Sequence, residues 1–555
     1  MQKLSESRRT TGVVNALPDD VLLFIFDHYR QSTVGAHSSW CQIWCTLAHV
    51  CKRWKELILA SSRRLDVQLR CTFGTYAEDL IAYSPALPLV LDYQSRHDEK
   101  WTYADMDSVI VALNQLHRAR EIVLSAPAST LAKLTAAMAD ATAPILERLE
   151  LESQTTELFL PRRFLDALAP PHLRLLRLSG CVLQAWYPLL SSATSLEHLA
   201  LHRIPVSTAE FVAAPEGLVS CVRSMPRLRT LSISFVSAAA PHSSPVIDNR
   251  LLSSHQTTPP TPNRTSDTDR VELPALEELA YQGPPTYIDA FLAAFSGAPC
   301  MRRLRLSLFD KPKATFSIPH VAKFICSQAS AEPPKPALSL ALVEFYESSA
   351  WLTLFPPTSP RDRTMPRQNQ YDNAHDDDHD GSNSIQNEIS IRVSCELLEG
   401  QLSALASVCS ALARHTLSSV TELMLGFYAH ELPTPSTDSA QQRQREQPRD
   451  AAQALWLALL LPFQSIRTLR VDTALGAEIA RALTTGVENG GLAQEHGESE
   501  SDSERLELLP ALCAVEPLYQ VVSAPGLFSS THAALLKLAE RNRRFAAGRH
   551  VVDTH

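Results

Sequence analysis

Glycine is scarce in this sequence, and no apolar run is long enough to cross a membrane. Only 17 of the 555 residues are glycine, whereas glycine makes up about 7% of an average protein. This scarcity argues against collagen, glycine-rich linkers and phosphate loops built from glycine. The longest apolar run, at residues 454–463, is far shorter than the roughly 20 residues that span a bilayer. We therefore predict a buried helix there and no membrane partner.

The charge balance and the cysteine content exclude further classes of protein. The formal net charge is −9 and the sequence pI is about 6.1, which argues against a nucleic-acid partner. The 11 cysteines are an odd number without the spacing of a disulfide framework. We therefore expect thiols in an intracellular protein of the cytoplasm or nucleus. The polar N-terminus has no apolar signal core, so we expect no secretion.

Catalytic motifs are also missing. We find no Gly-x-Ser-x-Gly, no phosphate-binding loop, no Gly-x-Gly-x-x-Gly and no His-Glu-x-x-His. We therefore expect no enzyme activity, no catalytic residue and no cofactor. Metal-capable side chains cluster at His37, Cys41, Cys45, His49 and Cys51. Zinc sites combine such a cysteine pair with a distant second pair of ligands, so we interpret these residues as packed thiols and predict no metal site.

Four polar segments interrupt the apolar pattern. They are rich in Pro, Ser, Thr, Gln or acidic residues and cover residues 236–270, 356–388, 431–450 and 488–504. None of them can bury enough apolar surface to offset the entropy of ordering, so we expect all four to be disordered. We expect the same of residues 1–13, which precede the first apolar segment.

A repeat of the form Pro-x-Φ-x-x-Φ-x-Φ, where Φ is apolar, runs between these segments. Five copies begin at Pro144, Pro171, Pro226, Pro274 and Pro299, residues 194–201 match without the proline, and the segments at 419–426 and 465–472 match more loosely. The first apolar positions from Leu146 to Met301 are separated by 27, 23, 32, 48 and 25 residues. Three of these steps fall in the period of leucine-rich repeats, roughly 20–29 residues. Each copy predicts a short strand, because its last two apolar residues alternate with a polar one.

The repeat resembles a degenerate leucine-rich-repeat α/β solenoid. We assign it to residues 66–355 and, after the linker at 356–388, to residues 389–555, with further strands at 87–93 and 120–125. We also predict helices at 108–119, 163–169, 209–225 and 287–296 and a C-terminal helix at 531–548. The resemblance implies that the polar positions of each copy line a target-binding face. The candidates are Arg148, Arg177, His198, His202, Arg303 and Arg305, whose cations suit an acidic or phosphorylated target. The alternatives are a solvated sheet face and a globular α/β domain in which the pattern recurs by chance.

Residues 14–65 differ from the rest in predicting short helices with excess apolar surface. Pro18 suits a first helical turn, and Asp19 and Asp20 place negative charge at the positive end of the helix dipole. In the following segment Val21 and Ile25 share one face, while Leu22 and Phe26 share another. A helix with one buried side does not need apolar residues around so much of its circumference. We therefore expect a partner to cover part of this small unit.

The segment 17–26, Leu-Pro-Asp-Asp-Val-Leu-Leu-Phe-Ile-Phe, with Val50-Cys51-Lys52-Arg53-Trp54 after it, resembles the F-box. The layout is similar to F-box proteins common in fungi, although the spacer at 32–39 is longer than the family's. The resemblance implies a three-helix module that docks on the Skp-family linker and, through it, on a cullin. The residues that it assigns to the linker are Leu17, Pro18, Leu22, Ile25, Phe26, Val50, Cys51, Trp54 and Leu57. The alternative is a helical hairpin that packs on the solenoid.

The sequence thus predicts a substrate-recognition adaptor of an SCF-type ubiquitin ligase. Its fold class is an all-α three-helix F-box module followed by an irregular α/β leucine-rich-repeat-like solenoid with disordered polar insertions. The alternative function is a leucine-rich-repeat scaffold for protein interactions without a ubiquitin-ligase role. A third possibility is an enzyme built on the α/β layer, for which no linear motif speaks.

Overall fold

The computed structural model describes the helices and strands of the chain and most of their short connections. The residues described are 17–33, 44, 46–65, 67–83, 87–94, 103–138, 142–154, 158–160, 171–183, 190, 193–205, 215–236, 270–309, 317–329, 338–356, 388–395, 397–412, 416–428, 446–489, 509, 511–512, 514–517 and 540. The chain divides into two compact units, Met1–Leu196 and Glu197–His555.

The first unit begins with helices. They are α1 (Asp19–Thr33), α2 (Lys52–Ala60) and α3 (Ser62–Leu65). Helix α1 begins one residue later than Pro18, whose carbonyl accepts the first helical hydrogen bond from the Leu22 amide at 3.1 Å. The two aspartates occupy its first turn, where the unpaired amides and the dipole favour negative charge.

The rest of the first unit is a parallel sheet with helices. Its main strands, in spatial order, are β1 (Leu69–Cys71), β2 (Leu89–Gln94), β3 (Ala119–Ala126), β4 (Arg148–Ser153) and β6 (Leu175–Ser179), and β5 (Leu158–Leu160) pairs separately with β7 (Cys181–Leu183). The helices are α4 (Ala77–Tyr83), α5 (Tyr103–Leu113) and α6 (Ala128–Met138). Parallel neighbours need crossover connections, and helices α4, α5 and α6 lie between the successive strands from β1 to β4.

The second unit has a larger, mixed sheet of ten strands among the described residues. In spatial order they are β8 (His198–Pro205), β9 (Thr230–Val236), β11 (Glu278–Gly283), β13 (Arg303–Phe309), β16 (Glu388–Ser394), β15 (Ser349–Phe355), β14 (Leu340–Phe345), β17 (Glu422–Phe427), β18 (Thr468–Val471) and β19 (Ala514–Pro517). Two shorter strands, β10 (Val271–Glu272) and β12 (Phe295–Gly297), pair with each other. The helices are α7 (Pro215–Arg223), α8 (Pro285–Ala293), α9 (Pro319–Ala329), α10 (Leu398–Leu412), α11 (Glu446–Leu460) and α12 (Thr473–Asn489).

The strand predicted at every copy of the repeat is confirmed. Corresponding positions of neighbouring copies pair directly, as Leu231 pairs with Leu279 and Leu279 with Leu304. The apolar positions of the copies are buried and the polar positions between them are half-buried or exposed. This alternation is the two-residue period of a strand with one covered face. The strands predicted at 87–93 and 120–125 are confirmed as β2 and β3.

One strand departs from the parallel pattern expected of the repeat. Strand β15 is antiparallel to both of its neighbours, β14 and β16. Only Tyr346, Glu347 and Ser348 separate it from β14, and the Tyr346 amide donates to the Ser349 carbonyl at 2.8 Å. So short a connection cannot cross over to a parallel position, so the chain reverses direction. The outer-face residues Leu342, Phe355 and Met424 form a separate buried apolar cluster here.

Several predicted boundaries are wrong. The helix expected at 108–119 is α5, which begins and ends earlier; Leu116–Arg118 form a 3-10 turn, and Ala119 already belongs to β3. The side chain of Arg118 donates to the Leu87 carbonyl at 2.7 Å, which holds this turn beside the sheet. The helix at 454–463 is α11, which ends at Leu460.

The edges of the four polar segments are also corrected. Helix α11 includes residues 446–450 and α12 includes 488–489, while residues 236 and 388 belong to β9 and β16. The first turn of α11 holds Pro448, which a helix tolerates there, so polar composition alone placed its start too late. Other predictions lie outside the described residues. They concern the interiors of the four segments, residues 1–13, the helix at 163–169 and, except for residue 540, the helix at 531–548. No described helix combines the length and apolarity needed to traverse a bilayer.

Candidate protein-docking surface

Helix α1 is apolar on two opposite sides. Leu22, Leu23 and Phe26 are at most 7% exposed, whereas four other large apolar side chains of the same helix are 39% to 70% exposed. These four, which we name the α1 stripe, are Val21, Phe24, Ile25 and Tyr29. At about 100° per residue they fall within an arc of roughly 140° on one side of the helix. The stripe therefore lies on the side of the helix away from Leu22, Leu23 and Phe26, with the exposed His28 within the same arc.

The inner side of α1 makes the core of the helical module. Leu22 and Phe26 are completely buried with Ile58 of α2 and Leu65 of α3, and other core members are Leu23, Trp44, Leu47, Val67 and Leu87. The Phe26 and Trp54 rings pack edge to face with their centroids 4.8 Å apart. Such aromatic pairs contribute roughly 0.5–1.5 kcal/mol beyond the burial of their area. The inner side thus fixes which face α1 turns outward.

Arg53 connects the start of α1 to α2. Its Nη2 atom donates to the Leu17 carbonyl and to Asp19 Oδ1, both at 2.6 Å. One side chain thereby holds the residue before the helix and the first helical residue at once. The sequence reasoning did not include Arg53 in the site; the only signal was an acidic pair in one half of the motif and a basic pair in the other.

The nine residues assigned to the linker by resemblance occupy three environments. Leu22 and Phe26 are fully buried, which corrects their assignment, because they cannot touch another protein while the core is intact. Leu17, Trp54 and Leu57 are half-buried against the same core, and Cys51 is half-buried just before α2. Pro18, Ile25 and Val50 are exposed, with Val50 56% exposed. Only these last three of the nine are classed as exposed.

Four further large apolar side chains of the module are exposed, and the resemblance did not assign them to the linker. They are Val21, Phe24 and Tyr29 of the stripe and Leu59 of α2, which is 41% exposed. Their positions in the sequence carried a usable signal. Residues 21, 24 and 25 are spaced by three and four, so they share one side of a helix. Which side of α1 faces outward is decided by its contacts with α2 and α3.

The candidate target-binding residues lie on strands, and most of them are engaged. In the first unit Arg148 pairs with Glu150 at 2.6 Å, and Arg177 is half-buried beside Glu150 on the next strand. In the second unit His198 Nδ1 lies 3.0 Å from Thr230 Oγ1, and His202 Nε2 lies 2.8 Å from Ser232 Oγ.

The two arginines of β13 differ from each other. Arg303 Nη1 lies 3.4 Å from Glu278 Oε1 and its Nε lies 4.0 Å from Glu388 Oε2. Arg305 is exposed, and the structure gives it no ion pair or hydrogen bond with any residue that it describes. Two of the six candidates thus belong to the first unit and four to the second.

Burial raises the pKa of titratable groups in the second unit, Glu344 and Cys221 among them. Burial raises the pKa of the Glu344 carboxyl, and hydrogen bonds from the Tyr428 and Tyr346 hydroxyls partly offset that rise. The two tyrosine rings are stacked with centroids 5.1 Å apart. Burial also raises the pKa of the Cys221 thiol to about 11, which keeps it protonated and a poor nucleophile.

The metal-capable residues of the sequence do not form a described cluster. Among the residues that the structure describes, no three His, Cys, Asp or Glu side chains are grouped to hold a metal ion. His37, Cys41 and Cys45 lie outside the described residues, so their packing stays a prediction. The eight cysteines of the described part are thiols rather than halves of disulfide bonds.

Comparison with known proteins identifies the helical module alone. Residues 14–67 match the family described as F-box-like, which covers about a tenth of the 555-residue chain. No curated protein matched the chain. The matched range begins at the predicted boundary of 14 and ends two residues beyond the predicted 65. F-box domains bind Skp-family proteins in SCF complexes. The N-terminal helices, with a packed inner side and an exposed apolar stripe on α1, form an F-box-like domain.

Proposed function

We propose that this protein is a substrate-recognition adaptor of an SCF-type ubiquitin ligase. The F-box-like domain docks on the Skp-family linker, which joins it to a cullin, and the sheet units hold the target. The observation that carries the proposal is the α1 stripe, which leaves Phe24 70% exposed on a domain matched to the F-box-like family. A general adaptor role in ubiquitin ligation is what an F-box-like domain suggests.

The energetics of the stripe support a role in docking. Burial of apolar surface contributes roughly 25 cal/mol per Å², or about 1.5–3 kcal/mol for a large side chain that becomes fully covered. Four such side chains on one helix supply a substantial part of the free energy that a stable complex needs. Contiguous exposed patches of this kind typically mark protein interaction sites. Val50, 56% exposed just before α2, adds to the apolar surface of the module.

The mechanism is proximity rather than bond chemistry. The adaptor raises the effective concentration of a target lysine near a charged ubiquitin-conjugating enzyme, and it also orients that lysine. No residue of this chain is assigned to catalysis. F-box proteins are typically adaptors without enzyme activity.

The two sheet units are the part that we propose to bind the target. The regular pairing of equivalent positions, such as Glu278 beside Thr230 and Arg303, supports the interpretation as a degenerate leucine-rich-repeat-like array. The polar positions of each copy then form rows across the outer face. Charged side chains in such rows suit a partner of complementary charge.

A charge-insertion experiment separates an adaptor from a scaffold without a ubiquitin-ligase role. The full chain is tested for binding to a purified Skp-family linker, and Phe24→Glu is compared with Phe159→Glu. Phe159 is the matched control, because it is 61% exposed on β5, outside the helical module. We expect Phe24→Glu to abolish binding and Phe159→Glu to bind like the wild type. Absence of binding by the wild type, or equal binding by both variants, would contradict the docking proposal.

A further inference from the structure

Several arginines on the outer faces of the sheets are paired with carboxylates. Arg303 lies between Glu278 and Glu388, and Arg470 lies 3.2 Å from Glu422 and 3.1 Å from Glu516. Arg305 occupies the same face of β13 two residues after Arg303, and it is exposed. The structure gives its cation no ion pair with any residue that it describes.

Small residues surround Arg305 on the neighbouring strands. It is paired in register with Ala280 on one side and Ser390 on the other, and Ala280 is paired with Ser232 of the next strand. Neighbouring strands lie roughly 4.8 Å apart, so Ser232 and Arg305 are separated by about twice that spacing. The Ala280 side chain ends at its Cβ atom, so within this row no long side chain stands between the hydroxyl and the guanidinium.

The groups around this space favour an anion. No carboxylate belongs to the row formed by Ser232, Ala280, Arg305 and Ser390. The nearest carboxylates along the sheet, one row away, are those that already pair with Arg303. On the opposite side the next row contains another cation, Arg392, which lies 5.0 Å from the centre of the Trp351 ring. The Ser232 hydroxyl is held by His202 at 2.8 Å.

We propose that Arg305 and Ser232 form an anion-recognition point for an acidic side chain of a partner polypeptide. The carboxylate of a partner Asp or Glu lies over Ala280, where it accepts hydrogen bonds from the guanidinium and from the serine hydroxyl. A carboxylate accepts the two parallel N–H donors of an arginine. This proposal rests on the proposed function, because it takes this sheet face as the one that binds the target. It adds that the face selects an acidic segment of that target.

Selection from a random peptide library tests this site without knowledge of the target. The folded full chain is the bait, and the library displays random dodecapeptides. We expect peptides selected by the wild type to share Asp or Glu at one aligned position, enriched about tenfold over the library. Peptides selected by Arg305→Glu should lose that enrichment. Arg302→Glu is the matched control, because Arg302 is exposed directly before β13 and its reversal changes the net charge equally.

A synthetic peptide from the selection then tests the geometry. We expect Arg305→Glu and Ala280→Leu each to weaken its binding about tenfold, the first by reversing the charge and the second by filling the space. Exchange of the peptide's acidic residue for Arg should restore binding to Arg305→Glu. Unaltered thermal unfolding of each variant shows that the fold is retained.

The proposal is overturned if no acidic position is enriched, or if Arg305→Glu selects and binds the same peptides as the wild type. Affinity for the Skp-family linker, measured separately on every variant, reports on the proposed adaptor function alone. We expect it to stay unchanged by substitutions at this face. Failure of the linker to bind the wild type would refute the adaptor function and leave the peptide result standing.

Discussion

Truncation of Phe24 distinguishes a docking residue from a residue of the core. Phe24 is 70% exposed in the free chain, and complete burial of a Phe side chain is worth about 1.5–3 kcal/mol. A linker that covers Phe24 therefore recovers roughly 70% of this value, or about 1–2 kcal/mol. Since about 1.4 kcal/mol corresponds to tenfold in Kd, we expect Phe24→Ala to weaken linker binding by roughly 5- to 30-fold. Its free energy of unfolding should stay within about 0.5 kcal/mol of the wild type, as at other exposed positions.

Leu22→Ala should behave in the opposite way. Leu22 is completely buried only two residues away, so its truncation should lower the free energy of unfolding by about 2–5 kcal/mol. Calorimetric titration with the purified linker gives the Kd of each variant, and urea unfolding of the helical module in the full chain gives its stability. The reasoning is refuted if Phe24→Ala binds the linker with an unchanged Kd, or if it destabilises the module as much as Leu22→Ala does.

Three further predictions concern the module, a close contact and a buried carboxyl. Arg53→Ala removes two hydrogen bonds of 2.6 Å at the start of α1 and should weaken linker binding several-fold in the same titration. Arg53→Lys should recover only part of that affinity, because one ammonium group does not reproduce the planar fork of the guanidinium. Gly283→Ala would place a Cβ atom 2.5 Å from Tyr281 Oη and 2.6 Å from Phe235 Cδ2. Urea unfolding should therefore show that the free energy of unfolding falls by about 1–3 kcal/mol. The control Gly297→Ala, whose Cβ atom would have nothing within 4 Å, should show little steric loss. Burial raises the pKa of Glu344 above its ordinary 4.5, so the folded protein holds the proton of this carboxyl more tightly than the unfolded chain does. The stability that this proton contributes is complete below pH 4.5 and is lost as the pH rises through the raised pKa. Unfolding measured between pH 4.5 and neutrality should therefore show Glu344→Gln gaining stability relative to the wild type as the pH rises, and a constant difference would contradict this.

Strands with one covered face were predictable from their alternation, whereas β15, which is covered on both faces, was not predicted. The copy that contains Leu149 and Leu151 alternates apolar and polar residues, and that alternation directly reports a strand with one buried side. Strand β15 has a nearly continuous apolar sequence, because almost all of its residues are buried. Such a run does not distinguish a strand from a buried helix, and it says nothing about direction.

The docking surface was predictable in kind but only partly in its residues. The periodicity of α1 indicated two apolar sides, and the exposed stripe agrees with that inference. The resemblance assigned contacts by motif position and so combined Leu22 and Phe26 of the inner side with Ile25 of the outer side. The direction of the inner side is set by the packing of Phe26 on Trp54 and Ile58, contacts that join distant parts of the sequence.

Arg303 and Arg305 show why pairing between strands decides which charges are available to a partner. In the sequence Arg-Leu-Arg-Leu-Ser-Leu-Phe the two arginines are equivalent, since both are polar positions of one alternating strand. Their surroundings differ because the register places Glu278 and Glu388 beside the first and Ala280 and Ser390 beside the second. A shift of either neighbouring strand by two residues would keep every apolar side chain on its face. Depending on its direction, it would replace the carboxylate beside Arg303 with a small residue or place that carboxylate beside Arg305. The burial pattern therefore fixes the fold of this sheet, whereas the register, set by the turns and helices between the strands, determines the charge that the outer face offers.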